Sequence, residues 1–280
     1  HFEDIINIIP NVNFSSGSNR ARFFQIRGIG ERSQFVNPVN PSVGVLIDDV
    51  DFSGAGTIAT LMDVQQVEVL RGPQGTRYGA NALAGLINFS TNEPDKALST
   101  SVKLSGGEFG TQTAGVVLNV PISEAFLSRF VFESHQSDGY IENEFQNSNR
   151  TNDRDEMTGR AKFSWQVKTN WSLNLSLASV DIDNGYDAFS LDNNRHTLSD
   201  EPGFDRQNSS YVSLKSHWQQ DRMNIEVLWN QSDSDLDYGY DEDWSFTGIH
   251  PWGYTSTDHY FRERGTTSAE LRLLSNESGR

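Results

Sequence analysis

The chain has 280 residues, enough for one large domain or two domains of ordinary size. Its 38 acidic residues outnumber its 22 Lys and Arg residues, and the net charge of −16 argues against a nucleic-acid partner, while the absence of cysteine excludes disulfides and thiolate metal sites. The hydrophobic share is only 35%, yet 11% of the residues are aromatic, and no apolar run approaches the roughly 18 residues of a membrane-spanning helix. These features favour a water-rich, aromatic-rich β structure.

The first third of the chain, up to about Asp95, is glycine-rich and irregular. It begins at His1 without the pattern of a signal peptide, so we expect the chain to be part of a longer protein. We predict one short helix across Thr57–Val64. The strand-like segments are short and lie at Phe23–Ile26, Val43–Ile47, Gln66–Leu70 and Ala84–Asn88. This part of the sequence predicts a compact α+β domain with little helix.

From about residue 98 onward the hydrophobic pattern changes to a period of two residues. In Met157–Val167, for example, Ala161 and Phe163 alternate with Arg160 and Lys162. Such alternation predicts strands with one apolar and one polar face. Eight segments follow this pattern: Val102–Leu104, Ala114–Val120, Phe126–Phe132, Met157–Val167, Trp171–Leu177, Val212–Trp218, Met223–Asn230 and Ala269–Leu273.

The connections between these predicted strands alternate in length. The short ones are Pro121–Ala125, Lys168–Asn170 and Gln219–Arg222, and the long ones are Ser134–Asp155, Asp181–Ser209 and Asp233–Thr266. An outer-membrane barrel keeps its short turns at one end and its long loops at the other, whereas a soluble sandwich has no reason to do so. Four tryptophans, which fit an aromatic girdle at a lipid boundary, are Trp165, Trp171, Trp218 and Trp229. The pattern favours the barrel, although the residues alone leave the sandwich open.

The size of the first domain bears on the size of such a barrel. An eight-stranded barrel is filled by its own side chains, so a domain of about 95 residues could not fit inside it. A barrel of about 22 strands has a lumen wide enough for such a domain. The inward polar stripe, with Arg160, Lys162, Glu226, Glu270 and Arg272, would then face a folded protein. We therefore predict an incomplete large barrel.

Several blocks of the first domain closely resemble the plug signature of TonB-dependent outer-membrane receptors. They are Phe24–Gly30 (FQIRGIG), Val45–Val50 (VLIDDV) and Gln65–Asn88 (QQVEVLRGPQGTRYGANALAGLIN), and Ile5–Val12 looks like the segment that precedes the first of them. The resemblance implies a mainly β protein: a small α+β plug domain in residues 1–95, with its N-terminus missing. The first eight antiparallel strands of a large transmembrane β-barrel of about 22 strands follow in residues 96–280, with the C-terminal part missing.

The resemblance also implies a set of residues that hold or gate the plug. They are Arg27, Gly28, Glu68, Arg71, Gly72, Gly75 and Gly79. Glycines permit positive φ and close approach of one chain to another, which suits a domain packed against a wall. Glu68 and Arg71 flank a strand end, where each could pair with the barrel wall or, equally well, within the plug.

In the family, loops at the outer apex of the plug and outer barrel loops form the ligand site. Carried over by position, the apical loops are Glu31–Pro41, with Gln34, Phe35 and Asn37, and Asp51–Gly56, with Phe52 and Ser53. Outer-loop candidates are Trp244, Trp252 and Tyr254. The alternatives are ordinary connecting turns for the apical loops and a self-packed loop for the aromatic residues.

Other chemistry has weak support in the sequence. The acidic run Asp233–Asp243 could bind calcium, but its glycine and its twelfth residue do not fit an EF-hand, and a solvated outer loop is the alternative. The six histidines lack ligand spacing, and no nucleophile or metalloprotease motif occurs. We therefore expect neither a metal nor a cofactor, and no enzymatic activity.

The resemblance thus implies that the parent protein is an outer-membrane receptor, which binds a scarce extracellular solute and takes it into the periplasm by energy-coupled plug movement. A siderophore-type iron chelate is the expected cargo, with cobalamin or an oligosaccharide as alternatives. Implied partners are a TonB-type energy-coupling complex of the inner membrane and outer-membrane lipid, with no nucleic acid. A surface or soluble β-rich module that binds carbohydrate without transport is the alternative function, and a β-rich hydrolase is a third class for which no carboxylate pair stands out.

Overall fold

A computed structural model of the chain describes residues 6, 8–16, 18, 20–33, 40–56, 60–79, 81–249 and 251–276. In these ranges it contains two parts, a small N-terminal domain and a large antiparallel sheet. No helix in the described ranges is long and apolar enough to cross a membrane.

The N-terminal domain, which we call the plug, is built on two small sheets. The first pairs β1 with β2 antiparallel, and the second has the order β4-β3-β6-β5, in which β3 and β6 are parallel. The single helix described, α1, is one turn long. The bounds are β1 Val12–Ser15, β2 Phe23–Ile26, β3 Val43–Ile47, β4 Val50–Asp51, β5 Val64–Arg71, α1 Gly75–Tyr78 and β6 Gly85–Thr91.

The helix predicted across Thr57–Val64 is wrong where the structure describes it. Residues 60–63 form a turn and β5 begins at Val64, while residues 57–59 lie outside the described ranges. The hydroxyl of Thr60 accepts a hydrogen bond from the backbone N–H of Met62, at 2.9 Å. A side chain that binds the nearby backbone in this way competes with helix formation, so the apolar spacing alone misled the prediction.

The plug has an ordinary apolar core. Ile26, Val45, Ile87 and Phe89 are each at most 1% exposed and lie in one cluster. Two side chains of the large sheet, Tyr211 and Leu236, belong to the same cluster. The core of the plug therefore continues onto the sheet.

Eight strands form the large sheet, which we call the wall, and they confirm the predicted fold class. Every neighbouring pair is antiparallel and follows the chain order. Two short strands, β10 (Glu142–Asn143) and β13 (His196–Thr197), pair in parallel outside the wall. The wall strands are β7 Ser99–Gly106, β8 Gln112–Pro121, β9 Phe126–Ser137, β11 Arg154–Lys168, β12 Trp171–Tyr186, β14 Gly203–Gln219, β15 Met223–Asp241 and β16 Thr257–Ser275. The predicted domain boundary after residue 95 falls between β6 and β7.

All eight wall strands are longer than the hydrophobic pattern predicts, and four of them extend furthest beyond it, toward the long loops. β12 and β15 continue to Tyr186 and Asp241, and β14 and β16 already begin at Gly203 and Thr257. Residues 233–241, predicted as part of an acidic loop, are therefore strand. Backbone hydrogen bonds between neighbouring strands form whether or not the side chains are apolar. Where both faces of a strand are polar, the alternation of apolar and polar residues disappears from the sequence, and the strand is not predicted.

The two faces of the wall are reversed relative to a soluble protein. On β11, Met157 and Trp165 face away from the plug and are each 47% exposed, whereas Glu156, Arg160 and Lys162 face it and are at most 6% exposed. Apolar side chains outside and polar side chains inside are the pattern of a transmembrane barrel. This reversal confirms the barrel interpretation over the sandwich.

Candidate functional site

The boundary between plug and wall is the place where most buried charges of the molecule meet. We use "outer end" for the end of the wall that carries the long loops and "inner end" for the end with the short turns. The contacts form two groups, one toward each end. They have opposite charge arrangements.

At the inner end, acidic plug residues face basic wall residues. Asp63 binds Arg129 with two hydrogen bonds, from Nη2 to Oδ1 at 2.6 Å and from Nε to Oδ2 at 2.8 Å. Asp48 lies 3.1 Å from the Lys162 ammonium, which is 6% exposed. A further plug carboxylate, Asp49, lies 3.4 Å from the Lys215 ammonium.

The backbone of the β3–β4 turn explains how two neighbouring carboxylates reach the wall. Asp48 and Asp49 have φ values of 50° and 68°, the left-handed pair of a tight hairpin turn. Tyr211 donates to the Asp48 carboxylate at 3.1 Å, and Asn230 donates to the carbonyl of Asp49 at 2.9 Å. The turn is therefore held by the wall through both side-chain and backbone atoms.

At the outer end, the charges are exchanged: the plug supplies the bases and the wall supplies the acids. Arg20 donates to both oxygens of Glu156 at 3.2 Å, and both side chains are at most 4% exposed. Arg22 is paired with Asp205, and both side chains are at most 1% exposed. A plug turned or shifted along the wall would bring like charges together, so this arrangement selects one position of the plug.

The pKa of Asp63 reflects its contact with the wall. Burial alone would raise the pKa, but hydrogen bonds from Arg129 and Asn92, together with the charge on Arg129, outweigh burial and lower it. Asn92 Nδ2 donates to Asp63 Oδ1 at 2.8 Å. The carboxylate is thus held in its charged form by donors from both parts of the molecule.

A polar cavity of about 520 Å³ lies between plug and wall at the inner end. Its charged or titratable lining residues are Asp48, Asp49, Glu93, Lys162, Lys215 and His217. Lys162 also donates to Glu93 at 2.8 Å, and Glu93 is 64% exposed. Two of the inner ion pairs, Asp48–Lys162 and Asp49–Lys215, therefore border this polar cavity, whereas the side chains of the outer pairs are at most 4% exposed.

The predicted gating residues have separate roles in this structure. Glu68 accepts hydrogen bonds from two neutral plug side chains, Gln66 at 3.2 Å and Asn88 at 3.3 Å, and its role in gating stays a prediction. Arg71 is exposed at the end of β5. Arg27 and Gly28 form a turn with φ values of 55° and 80°.

The predicted glycines contribute backbone freedom rather than close contact. Gly72 and Gly79 have φ values of 102° and 78°, while Gly75 starts α1, and a Cβ atom at any of the three would meet nothing within 4 Å. Gly85, by contrast, has φ of 156°, and its Cβ would clash with the carbonyl of Leu70. Close packing of the signature is thus found at Gly85 and also at Gly30, where a Cβ atom would clash with the carbonyl of Phe24.

The predicted apical residues fall into two groups. Gln34, Phe35 and Asn37 lie outside the described residues. Phe52 is 4% exposed with its ring 5.8 Å from that of Tyr211, and the buried Ser53 hydroxyl accepts the N–H of Val45 at 3.0 Å. In this conformation Phe52 packs against the wall and Ser53 binds the plug itself, and a role of either in ligand contact stays a prediction.

The outer-loop aromatics are only partly brought together. Trp244 stacks on Phe189, with ring centroids 5.2 Å apart, as expected for a self-packed loop. Trp252 is 89% exposed and Tyr254 is 51% exposed, so both are accessible to a solute. Among the described residues, the acidic run at 233–243 forms no group of three or more ligands suited to a metal ion.

Sequence reasoning missed the plug partners of the wall charges. Arg20, Arg22 and Asp63 stand singly in irregular stretches, where no periodicity marks them. Of the inward stripe that was predicted to face a folded protein, Arg160 and Lys162 contact the plug. Arg272 instead pairs within the wall, with Glu226 and Glu270. The polar stripe on the wall was the available signal, but it does not identify the partners.

Comparison with known proteins gives a consistent result for both parts of the chain. Residues 1–86 match the family described as TonB-dependent Receptor Plug Domain. The pesticin receptor of Yersinia pestis is 40% identical over 89 residues, which are 31% of this chain and 13% of that receptor. The ferric enterobactin receptor PirA of Pseudomonas aeruginosa is 28% identical over 153 residues, or 48% of this chain and 21% of that receptor.

Among solved structures, the ferric yersiniabactin uptake receptor FyuA from Yersinia pestis superposes on this chain with a TM-score of 0.82 at 20% identity. The superposition covers 99% of this chain and 43% of that one. The chain thus spans less than half the length of these relatives. At this identity the likeness establishes the fold, which is that of a plug followed by barrel strands.

Proposed function

We propose that this chain serves the uptake of a scarce solute across the outer membrane. The family of its plug and the fold of its wall are those of a TonB-dependent receptor. The solute is bound at the outer end and passes into the periplasm when an inner-membrane TonB-type complex moves the plug. The expected cargo is an iron chelate of the siderophore type.

The observation that carries this proposal is the reversed wall with a folded domain on its polar face. Its apolar outer face suits lipid, and its inner face is committed to ion pairs with the plug. A soluble carbohydrate-binding module would leave large side chains such as Phe130, Trp165 and Leu271 in water. The wall therefore does not favour that alternative.

The geometry suits a closure that can be opened without covalent chemistry. Two of the inner ion pairs, Asp48–Lys162 and Asp49–Lys215, border the polar cavity, so their charges can be hydrated when they separate. The outer pairs are dry, and separating them leaves buried charges, which is costly. Work is therefore needed to move the plug, in agreement with an energy-coupled partner.

The names of the relatives support an iron chelate as cargo. Two of them are described as receptors for ferric enterobactin and for ferric yersiniabactin. The cobalamin and oligosaccharide alternatives share the plug signature and have no specific support in the described residues.

An uptake assay with the complete receptor tests the proposal. A strain that lacks its own iron-chelate receptors would express the receptor, and accumulation of radioactive iron from a panel of ferric siderophores would be measured. We expect uptake of at least one chelate, and loss of uptake when the coupling complex is deleted. Uptake that persists without the complex, or growth support by cobalamin alone, would contradict the proposal.

A further inference from the structure

Three long loops at the outer end of the wall are linked to one another. We call them the first, second and third loop, and they comprise residues 138–153, 187–202 and 242–256. β10 lies in the first loop and pairs in parallel with β13 of the second. The backbone N–H groups of Glu142 and Glu144 donate to the carbonyls of Arg195 and Thr197, each at 2.9 Å. Backbone hydrogen bonds of this kind fix the position of one loop relative to the other.

A cluster of buried polar side chains lies at the same junction. Oδ2 of Asp187 accepts hydrogen bonds from Asn143 Nδ2 of the first loop and from Thr197 Oγ1, both at 2.8 Å. Asn143 also donates to the carbonyl of Ser199 at 2.9 Å. All four residues are at most 4% exposed. Because a buried donor that loses its acceptor is costly, this cluster opposes separation of the first and second loops.

The third loop contacts both of the others. Its buried Ser245 accepts the N–H of Asp200, which belongs to the second loop, at 3.1 Å. Phe246 stacks on Phe145 of the first loop, with ring centroids 4.7 Å apart. Direct contacts therefore connect each of the three loops with the other two.

These contacts differ from those of ordinary surface loops. Loops usually have few buried contacts and water-exposed hydrogen bonds, so each opens at low cost and independently of its neighbours. Here buried groups of one loop have their partners in another. If the second loop opened alone, Asn143 would lose its acceptors and Ser245 would lose its donor. Opening of one loop therefore makes opening of the other two easier.

We propose that the three loops form one cooperative unit, the outer cap, which is folded before a solute arrives and opens only as a whole. The Asp187 carboxylate is its central positioning group. Any molecule that contacts one loop then acts on all three, because it changes the opening equilibrium of the whole cap. The cap is a property of the receptor without cargo, so it goes beyond the proposed function and does not depend on it.

Hydrogen exchange of the complete receptor in detergent, without any solute, tests the cap. In Asp187→Ala, exchange in residues 142–148, 195–200 and 244–249 should become about tenfold faster in all three segments together, because buried donors lose their acceptor. Asp187→Asn keeps an acceptor oxygen and should retain most of the protection. Residues 159–165 of β11 report on the wall, and their exchange should not change in either variant.

Asp192→Ala is the matched control, since Asp192 lies in the same loop and is exposed. Its exchange should equal that of wild type. Phe246→Ala changes the cap from the third loop and should speed exchange in residues 142–148 and 195–200 as well.

Three results would overturn the cap. The first is faster exchange that stays within the loop that carries the substitution, in Asp187→Ala or in Phe246→Ala. The second is an equal effect of Asp192→Ala and Asp187→Ala. The third is exchange of the three segments at the unprotected rate in the wild-type receptor.

Discussion

Asp63 shows how a single plug carboxylate is held from two sides. Arg129 of the wall and Asn92 of the plug both donate to it, and Arg160 adds positive charge nearby. The lowered pKa means that this contact contributes stability in full above the ordinary pKa of an Asp, about 3.9, and loses it as the pH falls through the folded value. At neutral pH the pair is therefore fully formed.

Replacing Asp63 with Asn should weaken the plug–wall contact by roughly 2–3 kcal/mol, because Arg129 would keep its charge in a mostly buried place without a counter-charge. Calorimetric unfolding of the complete receptor in detergent measures the change. The same variant should also lack the loss of stability that we expect for wild type below about pH 4, because the substituted amide does not titrate.

Lys96→Gln serves as the control for this variant. Lys96 and its partner Glu124 are 75% and 95% exposed, so removal of the pair should change stability by less than about 0.5 kcal/mol. If both substitutions lowered the stability equally, the Asp63–Arg129 contact would stabilise the protein no more than an exposed ion pair does, and the prediction would be wrong.

At the scale of single elements, each long wall strand has two sections with different surroundings. On β12 the outward residues Leu173, Leu175 and Leu177 suit lipid, and farther toward the outer end they are followed by Asp181 and Asp183. A lipid-spanning strand needs only about 9–11 residues, and β12 is longer. The remainder rises above the apolar band.

Leu175→Arg and Asp181→Arg compare these two sections on the same face of β12. An arginine near the middle of the lipid layer costs about 2–4 kcal/mol, whereas near the boundary it costs about 0–1 kcal/mol. We expect a large loss of unfolding free energy for Leu175→Arg only, measured by denaturant titration in lipid vesicles. Similar losses for both variants would place the apolar band elsewhere.

The outer loops contain an element that responds to pH. Asp241 ends β15, and its carboxylate accepts the N–H groups of Asp243 and Trp244, each at 3.0 Å. Burial, aided by the neighbouring Asp243 carboxylate, raises the pKa of Asp241 to about 7. A carboxyl group whose pKa is raised by folding stabilises its surroundings less as the pH rises through that value.

Hydrogen exchange of residues 242–249 should therefore show weaker protection at pH 8 than at pH 6, after correction for the intrinsic rate. Asp241→Asn keeps the acceptor oxygen and has no charge, so its protection should not depend on pH in this range. Asp233→Asn, on the outward face of the same strand, is the control and should behave as wild type. An unchanged pH profile in Asp241→Asn would refute the assignment.

At the scale of the whole molecule, most strands of the wall could be predicted from the sequence. The contacts between plug and wall could hardly be predicted. Eight strands were recognisable because outward Leu, Phe and Trp residues alternate with inward polar residues. The outer section of β15 could not be recognised as strand, because neighbouring residues such as Ser232 and Asp233 are both polar and the alternation of apolar and polar residues is lost. Partners such as Arg20 and Glu156 are far apart in the chain, and only the packing of the plug brings them together.

The six tryptophans allow a test of the whole arrangement. Trp165, Trp171, Trp218 and Trp229 lie on the outward face, with Trp171 and Trp218 stacked near the inner end, whereas Trp244 and Trp252 lie in the outer loops. Trp229 sits well inside the long β15 rather than at a strand end, which corrects its predicted place in a girdle.

In vesicles, brominated lipid should quench most of the fluorescence, and aqueous iodide should quench the remainder. Replacing both loop tryptophans with Phe should abolish the iodide effect, and iodide quenching that survives would mean that the outward face is wet.

The serines and asparagines that line the inner cavity have a mechanical consequence. Ser164, Ser172, Asn174, Ser176 and Ser213 are short side chains on the wall, opposite the plug. A hydrogen bond exchanged for one with water changes the free energy little, and short side chains leave no obstacle behind. A displaced plug can therefore slide along this polar surface in small steps of similar energy. The buried arginine–carboxylate pairs at the outer end oppose its displacement.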